Sequence, residues 1–428
     1  MAPEHLMDGV APLLFADPLN ARYVLNNQFV QPSDIFALSS AANKTFATSN
    51  GGVGIAGANE LRIDHSSGVP EILYEGSGVN GIRNPRMEGA VLGTIGSGGQ
   101  FPTNMGISGI PSGITGQIIG TGVENGISYF DLRLFGTFNT TSGFNIRLET
   151  LNGISAANGQ TWTLSHYIAR LSGTSFGVIR YQVVMCDGAN NDIGNVFAGS
   201  TNISTDLTSA MRVFGGTVTL NQAATAFISP RLELGHAAGT TIDVVLRFGF
   251  SQIEQNSTRT SFMLPPVGAP AAAIRTADTI PLTAAARAGL LSGAGAVAAR
   301  AVYPVTAVAG GRIVSLAANA LIGPTAPMNL AGMFNGTTGL DGITGGGNWN
   351  ASNGAGACAT WGVSGRRIAM NGGTVASDAL AVGAGSTVHI GPNTGLQAGQ
   401  IIRLRQLVGW TLSDRASAAA VQAQARIA

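Results

Sequence analysis

Carboxyl side chains are the first residues in this sequence whose type could perform chemistry. Cleavage of a glycosidic bond needs two of them facing each other across a cleft, about 5–10 Å apart. Asp131, Glu149, Asp187, Glu233 and Asp243 are candidates by residue type alone. Asp131, Glu149 and Asp243 share the outward parity of predicted strands with neighbouring Arg residues, which predicts solvated cross-strand ion pairs. We therefore predict no catalytic residues and expect the protein not to be an enzyme.

A glycine pattern from Gly52 to Gly57 matches the fingerprint of dinucleotide-binding loops. Such a loop must be followed by a helix whose N-terminus faces the phosphates. Residues 59–64 return instead to a strand-like sequence, and a chain with 61 glycines is expected to contain such matches by chance. We therefore predict no cofactor.

Histidine and cysteine spacing gives no metal-binding pattern. No two histidines lie three or four residues apart, so structural roles are predicted for them. The histidines are His5, His65, His166, His236 and His389. Cys186 and Cys358 have no framework of further cysteines around them, so both are predicted to be buried free thiols.

A loop rich in Gly and Asn offers the best candidate for recognition of a sugar. Lectin-like sites place an exposed aromatic ring against the apolar face of a sugar, while amide and carboxylate groups bond its hydroxyls. Trp349 lies between Asn348 and Asn350, shortly after Asp341, and no strand parity predicts its burial. These four residues are the predicted ligand-binding residues. The alternative is that Trp349 closes one end of a β-sandwich or lies in a subunit interface, as tryptophans commonly do.

The elements that must position these residues follow from the composition. The chain has 428 residues, of which 45% are apolar and only 11% charged, so it is long enough for two or three domains and too apolar for a disordered chain. Its many glycines favour short strands joined by turns. The net charge of +1 gives no field that would attract nucleic acid. Because no apolar run approaches 18 residues and no signal-peptide pattern occurs, we expect a cytoplasmic site of synthesis and no membrane insertion.

Apolar and polar residues alternate over much of the chain, as they do in half-buried strands. Phe130, Leu132 and Leu134 fall on one face of such a predicted strand. The clearest alternating segments are 128–135, 144–149 and 242–250. The remaining tryptophans are predicted to be core residues, namely Trp162, Trp361 and Trp410.

Turn and capping residues add three local predictions. Asn26 and Asn27 predict a two-residue hairpin turn. The Ala-rich stretch 283–301 is predicted to be partly helical. A terminal helix is predicted over 415–427, capped by Ser413 or Asp414.

The order of several short motifs resembles a β-sandwich module, similar to carbohydrate-binding modules, of bacteriophage tail fibres and other virion appendage proteins. Two positions depart from the pattern, because Ile253 and Asn256 stand where those proteins have Leu and Gly. A later passage, from Arg366 to Gly373 and on to Leu407, is similar to the end of a laminin-G or concanavalin-like sandwich. The motifs of the first module are Gly78-Val79-Asn80, Arg83 to Ala90, Phe101 to Asn104, Glu124 to Ile127, Phe130 to Leu134, Gly159 to Thr163 and Gln252 to Gln255.

The resemblance implies an all-β chain of two jelly-roll or concanavalin-like sandwiches. The expected ranges are an attachment arm over 1–82, a carbohydrate-binding-module-like sandwich over 83–268 and a second sandwich over 269–428. It further implies a fibre or spike of a phage or of a phage-like particle such as a gene transfer agent, located in the virion. The expected partners are other virion proteins, two further copies in a homotrimer and a host-surface glycan. The alternatives are a purely structural head fibre, decoration or connector subunit, and, less favoured, a polysaccharide depolymerase.

Overall fold

The computed structural model describes residues 5–39, 43–174, 176–290, 293–303, 312–316, 319–325, 330–335, 338–343, 349, 353–380, 382, 387–391 and 400–428. The protein is mostly β, with 51% of it in strands and 6% in helices. Across these ranges there are three helices, and each is too short to cross a membrane. The prediction of an all-β chain is confirmed.

The N-terminal segment folds into short strands and one helical turn. Asn26 and Asn27 have φ angles of 51° and 63°, left-handed values that Asn tolerates better than most residues, and the hairpin predicted there is confirmed. The Gly52–Gly57 pattern contains a strand, and a turn over 58–59 leads from it to another strand rather than to a helix. The elements are β1 (Leu14–Asp17), β2 (Arg22–Leu25), β3 (Gln28–Phe29), α1 (Pro32–Ile35), β4 (Lys44–Ala47), β5 (Val53–Ala56), β6 (Ile63–Asp64), β7 (Glu71–Glu75) and β8 (Gly78–Asn80).

The middle of the chain forms the first β-sandwich. Its elements are β9 (Gly93–Ile95), β10 (Gly98–Gly99), β11 (Gly106–Ile107), β12 (Ile114–Glu124), β13 (Ile127–Thr137), β14 (Ser142–Arg147), β15 (Ile154–Ser155), β16 (Thr161–Ser172), β17 (Val178–Cys186), β18 (Asp192–Phe197), β19 (Arg212–Thr219), β20 (Phe227–His236) and β21 (Thr241–Glu254). The larger sheet has the order β10-β9-β12-β13-β21-β16-β19. The smaller sheet has the order β11-β14-β20-β17-β18, and β15 also pairs with β20.

Alternate residues of these strands fill one hydrophobic core between the two sheets. Phe130, Leu132 and Leu134 of β13 are fully buried, and they share this core with Phe144 and Ile146 of β14. The predicted inward parity is therefore confirmed for both strands. Trp162 is also part of this core, as predicted.

The C-terminal third forms the second β-sandwich. β22 (Ala273–Arg275) pairs with β8 in a separate two-stranded ribbon. The other elements of this part of the chain are β23 (Ile280–Pro281), α2 (Ala284–Ala288), β24 (Ala294–Val302), β25 (Val314–Leu316), β26 (Asn319–Thr325), β27 (Leu330–Asn335), β28 (Thr338–Ile343), β29 (Ala355–Gly362), β30 (Gly365–Met370), β31 (Ala376–Asp378), β32 (Val388–Ile390), β33 (Ile401–Leu412) and α3 (Ala418–Ile427). One sheet has the order β23-β32-β25-β26-β27-β28. The other runs β3-β2-β1-β33-β24-β29-β30-β31 and also includes β6 and β7.

The predicted attachment arm supplies five of the strands in that second sheet. Phe15 in β1 pairs with Val408 in β33, and Tyr74 in β7 pairs with Ile402 of the same strand. Residues 14–75 are therefore folded largely into the C-terminal sandwich rather than standing apart from it. The attachment role of the segment stays a prediction.

The Ala-rich stretch is mainly a strand, because it lies in a sheet that is covered on both faces. Ala299 and Ala301 of β24 point into the core of the second sandwich. Ala296 and Ala298 point to the opposite face, where they share a second cluster with Trp410 and with helix α3. Small side chains suit a strand that is packed on both sides. Among the described residues of this stretch Ala284–Ala288 is helical, so the prediction that the stretch is partly helical is confirmed.

The predicted C-terminal helix exists, but its cap differs from both predicted residues. The helix begins after Ser417, whose hydroxyl accepts a hydrogen bond from the Ala420 amide at 3.2 Å. Asp414 instead accepts from the Ser364 amide at 3.0 Å and so fixes the turn between β29 and β30. The cap lies later because β33 continues to Leu412.

A buried ionic cluster joins the N-terminal segment to the start of the second sandwich. Arg62 forms ion pairs with Glu75 at 2.6 Å and with Asp278 at 2.5 Å. Lys44 reaches Asp278 at 2.6 Å, and Arg275 lies 3.4 Å from Glu75. All five side chains are buried. The cluster therefore ties three separate stretches of chain together.

Candidate functional site

The side chain of the predicted sugar-binding tryptophan is 0% exposed. Trp349 belongs to the core of the second sandwich, and its carbonyl accepts a hydrogen bond from the Tyr303 amide at 2.6 Å. The expectation that this ring is exposed is therefore wrong, and the alternative that it fills the sandwich is what the structure shows. Asn348 and Asn350 lie outside the described residues. The backbone of Asp341 pairs with that of Gly332, and its side chain is outside the description. Ligand binding by Asp341 and by the two Asn residues stays a prediction.

Most of the carboxylates that residue type suggested are engaged by arginines. Asp243 accepts two hydrogen bonds from Arg133, at 2.8 and 2.7 Å, across the β13–β21 pair. Asp131 is held in the same way by Arg247, at 2.8 Å for both bonds. The predicted cross-strand ion pairs are confirmed at both positions, but the predicted solvated face is confirmed only for Asp243, because Asp131 is buried. The Arg133 hydrogen bonds lower the pKa of Asp243, which favours a carboxylate over a general acid.

Glu149 departs from the predicted solvated face, because it is fully buried. The Arg83 side chain donates to it at 2.7 and 3.2 Å, and the backbone amides of Arg83 and Thr150 each donate at 2.8 Å.

Asp187 stabilises a turn, because the backbone amides of Ala189 and Asn191 donate to its carboxylate at 2.9 Å. These hydrogen bonds, first those from Asn191, lower the pKa of Asp187.

A cavity with a mixed apolar and polar lining lies where the first sandwich meets the β8–β22 ribbon. Its volume is about 500 Å³. We call it the Trp162 cleft. It is lined by Ser77, Gly78, Val79, Gly81, Gly153, Ile154, Ser155, Trp162, Glu254, Gln255, Asn256, Ala272 and Ile274.

Asn80 fixes the ribbon that forms one wall of this cleft. Its side chain is fully buried and donates to the carbonyls of Ser251 and Met263 at 3.1 and 3.2 Å. The amides of Ile82 and Ile253 donate to its oxygen at 3.0 and 3.1 Å. All the bonds that one amide side chain can make are thus formed, and those with Ser251 and Ile253 hold β8 against β21. This explains why an Asn follows Gly78 and Val79 in the sequence.

Two aliphatic side chains form the exposed apolar surface of the cleft. Val79 and Ile274 are direct cross-strand partners in the ribbon, and they are 49% and 76% exposed. Trp162, at 6% exposure, adds only an edge, and its Nε1 donates to Gln160 at 3.2 Å. An exposed aliphatic pair beside a tryptophan edge gives a surface on which the apolar face of a ring can lie.

Polar groups line the rim of the same cleft. Gln255 and Ser155 are exposed, and Ser77 is half-buried. The side chain of Gln255 makes no hydrogen bond within the described part of the chain, so its amide is free to bond a ligand. Asn256 is less available, because its amide donates to the Thr258 carbonyl at 2.7 Å. A few polar groups around an apolar floor are typical of small-ligand sites, whose volumes are about 300–1,000 Å³.

Glu254 contributes the one carboxyl group among the described residues that line the cleft. Burial raises its pKa, although the Thr260 amide and hydroxyl donate to it at 2.9 and 2.8 Å and oppose that effect. A raised pKa suits a general acid, but glycoside hydrolysis through two carboxyl groups needs a second one nearby.

One histidine and both cysteines are fully buried, and the prediction of two buried free thiols is confirmed. His166 is fully buried and lies 2.7 Å from the Tyr181 hydroxyl, and burial lowers its pKa to about 3. Cys186 and Cys358 are both buried and free. Where the chain is described, no three His, Cys, Asp or Glu side chains come together as a metal site.

Sequence reasoning missed the Trp162 cleft, because its two walls lie far apart in the chain. Val79 and Ile274 are brought together by pairing between strands almost 200 residues apart, which no local pattern announces. The available signal was the isolated Ile274 in a Pro/Ala-rich linker, where nothing predicts a core for it to join.

Comparison with known proteins gives distant structural similarities. The CBM22-1 xylan-binding domain of Paenibacillus barcinonensis Xyn10C is 11% identical, covering 37% of this chain and 88% of that domain, with a TM-score of 0.24. The tripod of the bacteriophage Tuc2009 baseplate is 11% identical, covering 71% of this chain and 93% of that one, with a TM-score of 0.29. Trypanosoma rangeli sialidase is 8% identical, covering 72% and 65%, with a TM-score of 0.23. No protein-family model and no curated protein matches the chain. At these TM-scores the similarities assign no function.

Proposed function

We propose that this chain is a virion structural protein, a fibre or spike of a phage or phage-like particle, that binds a host-surface glycan in the Trp162 cleft. The observation that carries the binding role is the exposed Val79–Ile274 pair beside the free amide of Gln255. The apolar pair can contact the C–H face of a sugar while rim groups bond its hydroxyls. The virion role is supported by two features. The order of motifs in the first sandwich resembles that of phage appendage proteins, and a second sandwich follows the first along the chain.

An array of bacterial surface glycans tests this proposal, probed with the wild-type protein and two variants. Ile274→Ser removes the most exposed apolar side chain of the cleft without touching the core. Val363→Ser is the matched control, because Val363 is 93% exposed in the distant β29–β30 turn. We expect the wild type and Val363→Ser to bind the same glycans and Ile274→Ser to lose them. If the wild type binds no glycan on the array, or if Ile274→Ser binds as well as the wild type, the result would contradict the glycan role and favour a purely structural subunit.

Self-association as a homotrimer is part of the proposal. β3 is an edge strand of the ten-stranded sheet, and its Phe29 is largely exposed near the guanidinium of Arg22, which lies 5.9 Å from the ring centre. Exposed apolar groups on a sheet edge favour contact with another chain. Light scattering that gives a monomer mass for the wild type would contradict trimer formation.

The alternative of a depolymerase has its own test. Release of oligosaccharide from host polysaccharide by the protein would favour the depolymerase over a binding protein.

A further inference from the structure

A second cleft lies on the outer face of the smaller sheet of the first sandwich, at one end of β14. Its volume is about 340 Å³, and we call it the Arg147 cleft. Three turns frame it, and they contribute Asn104, Asn152 and Asn190. The turn over 150–153 separates it from the Trp162 cleft, since Thr150 to Asn152 line one cleft and Gly153 lines the other.

The charges around this cleft leave one cation without a carboxylate partner. Glu149 is committed to Arg83, as described above. Arg231 holds Asp192 through two hydrogen bonds of 2.8 Å, and these bonds, with a smaller contribution from the charge of Arg147, lower the pKa of Asp192. Arg147 is the direct cross-strand neighbour of Arg231. Within the described residues Arg147 forms no ion pair, although its charge acts on Asp192 at longer range.

Two buried polar atoms at this cleft have no hydrogen-bond partner in the described structure. They are Nε of Arg147, a donor, and Oδ1 of Asn190, an acceptor. An unsatisfied buried polar atom costs about 1–3 kcal/mol, so a ligand that supplies the missing partners would be favoured once these two side chains turn towards it. The backbone of Asn190 is held in place, because its N–H donates to the Asp187 carbonyl at 3.0 Å within the turn that Asp187 stabilises.

We propose that the Arg147 cleft binds an oxyanion group carried on a sugar or polyol, which would make the glycan ligand an acidic one. A carboxylate or phosphate can accept from the guanidinium of Arg147 in a two-bond arrangement, while a neighbouring hydroxyl donates to Asn190. This inference rests on the proposed glycan role and deepens it. A uronic acid and a polyol phosphate share this chemistry, and the experiment distinguishes them.

The test is NMR titration of the full chain with ¹⁵N-labelled arginine, observing the Nε–H resonance that disappears in Arg147→Gln. The probes are D-glucuronate, glycerol 3-phosphate and neutral D-glucose. We expect a saturable shift of the Arg147 resonance with glucuronate, with glycerol phosphate or with both, and none with glucose. A response to one anion alone identifies carboxylate or phosphate as the group bound. No saturable shift with either anion, or an equal shift with glucose, would overturn the inference.

Variants separate this site from the Trp162 cleft. Arg147→Gln should weaken binding of the responding anion by roughly tenfold or more, and Arg147→Lys by less, because Lys keeps the charge but loses the planar fork. Arg212→Gln, an exposed arginine on the other sheet, is the matched control. If Arg147→Gln binds the anion as tightly as the wild type, the Arg147 cleft is refuted and the test of the Trp162 cleft is unaffected. If Ile274→Ser binds glycan as tightly as the wild type, only the Trp162 cleft is refuted.

Discussion

Glu75→Gln tests the buried ionic cluster that joins the N-terminal segment to the second sandwich. The substitution keeps the shape of the side chain and removes its charge. Glu75 is paired with Arg62 at 2.6 Å and accepts from the amide and hydroxyl of Ser261 at 2.7 and 2.5 Å. Loss of the Glu75 charge leaves Arg62 and Arg275 buried with less compensating negative charge. Breaking a buried ion pair in this way is strongly destabilising.

The pKa of Glu75 gives the size of the expected effect. Burial alone would raise this pKa, but the charges of Arg275 and Arg62 and the Ser261 hydrogen bonds outweigh it and lower the pKa from 4.5 to about 2. That lowering corresponds to roughly 3 kcal/mol of stability, since one pKa unit is worth about 1.4 kcal/mol. Because the folded-state pKa is depressed, this stability is present above pH 4.5 and is lost as the pH falls towards 2. Glu75→Gln should therefore cost about 3–5 kcal/mol at neutral pH.

Urea unfolding at pH 7 and pH 3, followed by tryptophan fluorescence, measures this cost. The matched control is Asp243→Asn, which neutralises a carboxylate in an exposed ion pair and should change the unfolding midpoint little. The wild type should lose stability between the two pH values, and Glu75→Gln should lose less. A Glu75→Gln midpoint at pH 7 equal to that of Asp243→Asn would refute the reasoning.

Three further predictions concern stability. Burial lowers the pKa of His166 to about 3, so the free energy of unfolding falls as the pH drops through the unfolded-state value of 6.5. For the wild type this fall should be about 1 kcal/mol between pH 7 and pH 5.5. His166→Gln should not show it, and an equal fall in that variant would contradict the prediction. Trp349→Ala should cost about 3–5 kcal/mol in urea unfolding without changing glycan affinity, and a stable variant with lost affinity would restore Trp349 as a ligand residue. Ser417→Ala should cost about 1 kcal/mol whereas Ser413→Ala should cost little, and the reverse order would contradict the assigned cap.

Strand parity was the most reliable predictor in this sequence. Phe130, Leu132 and Leu134 alternate with Asp131 and Arg133, and period-two alternation requires only that one face of a strand be buried. The Arg–carboxylate pairs between adjacent strands follow from the same parity. The motif order of the first sandwich predicted a β-sandwich there, and the structure has one.

Features that depend on distant pairing were not predictable. No local pattern shows that Phe15 pairs with Val408, so the N-terminal segment was expected to stand apart from the sheet it joins. Trp349 lies in a Gly/Asn-rich sequence typical of an exposed loop, yet its ring fills the second core. Glu149 has the parity of a solvated face, but Arg83, far away in sequence, covers it.

Isothermal titration of the glycan selected on the array, with Ile274→Ser and Val363→Ser in parallel, tests the central claim most directly. The Ile274 side chain should be buried by the ligand, and loss of that apolar contact is worth about 1.4 kcal/mol, or about tenfold in Kd. The account predicts a Kd about tenfold higher for Ile274→Ser and an unchanged Kd for Val363→Ser. Equal Kd values for Ile274→Ser and the wild type would contradict it and place the glycan elsewhere on the chain.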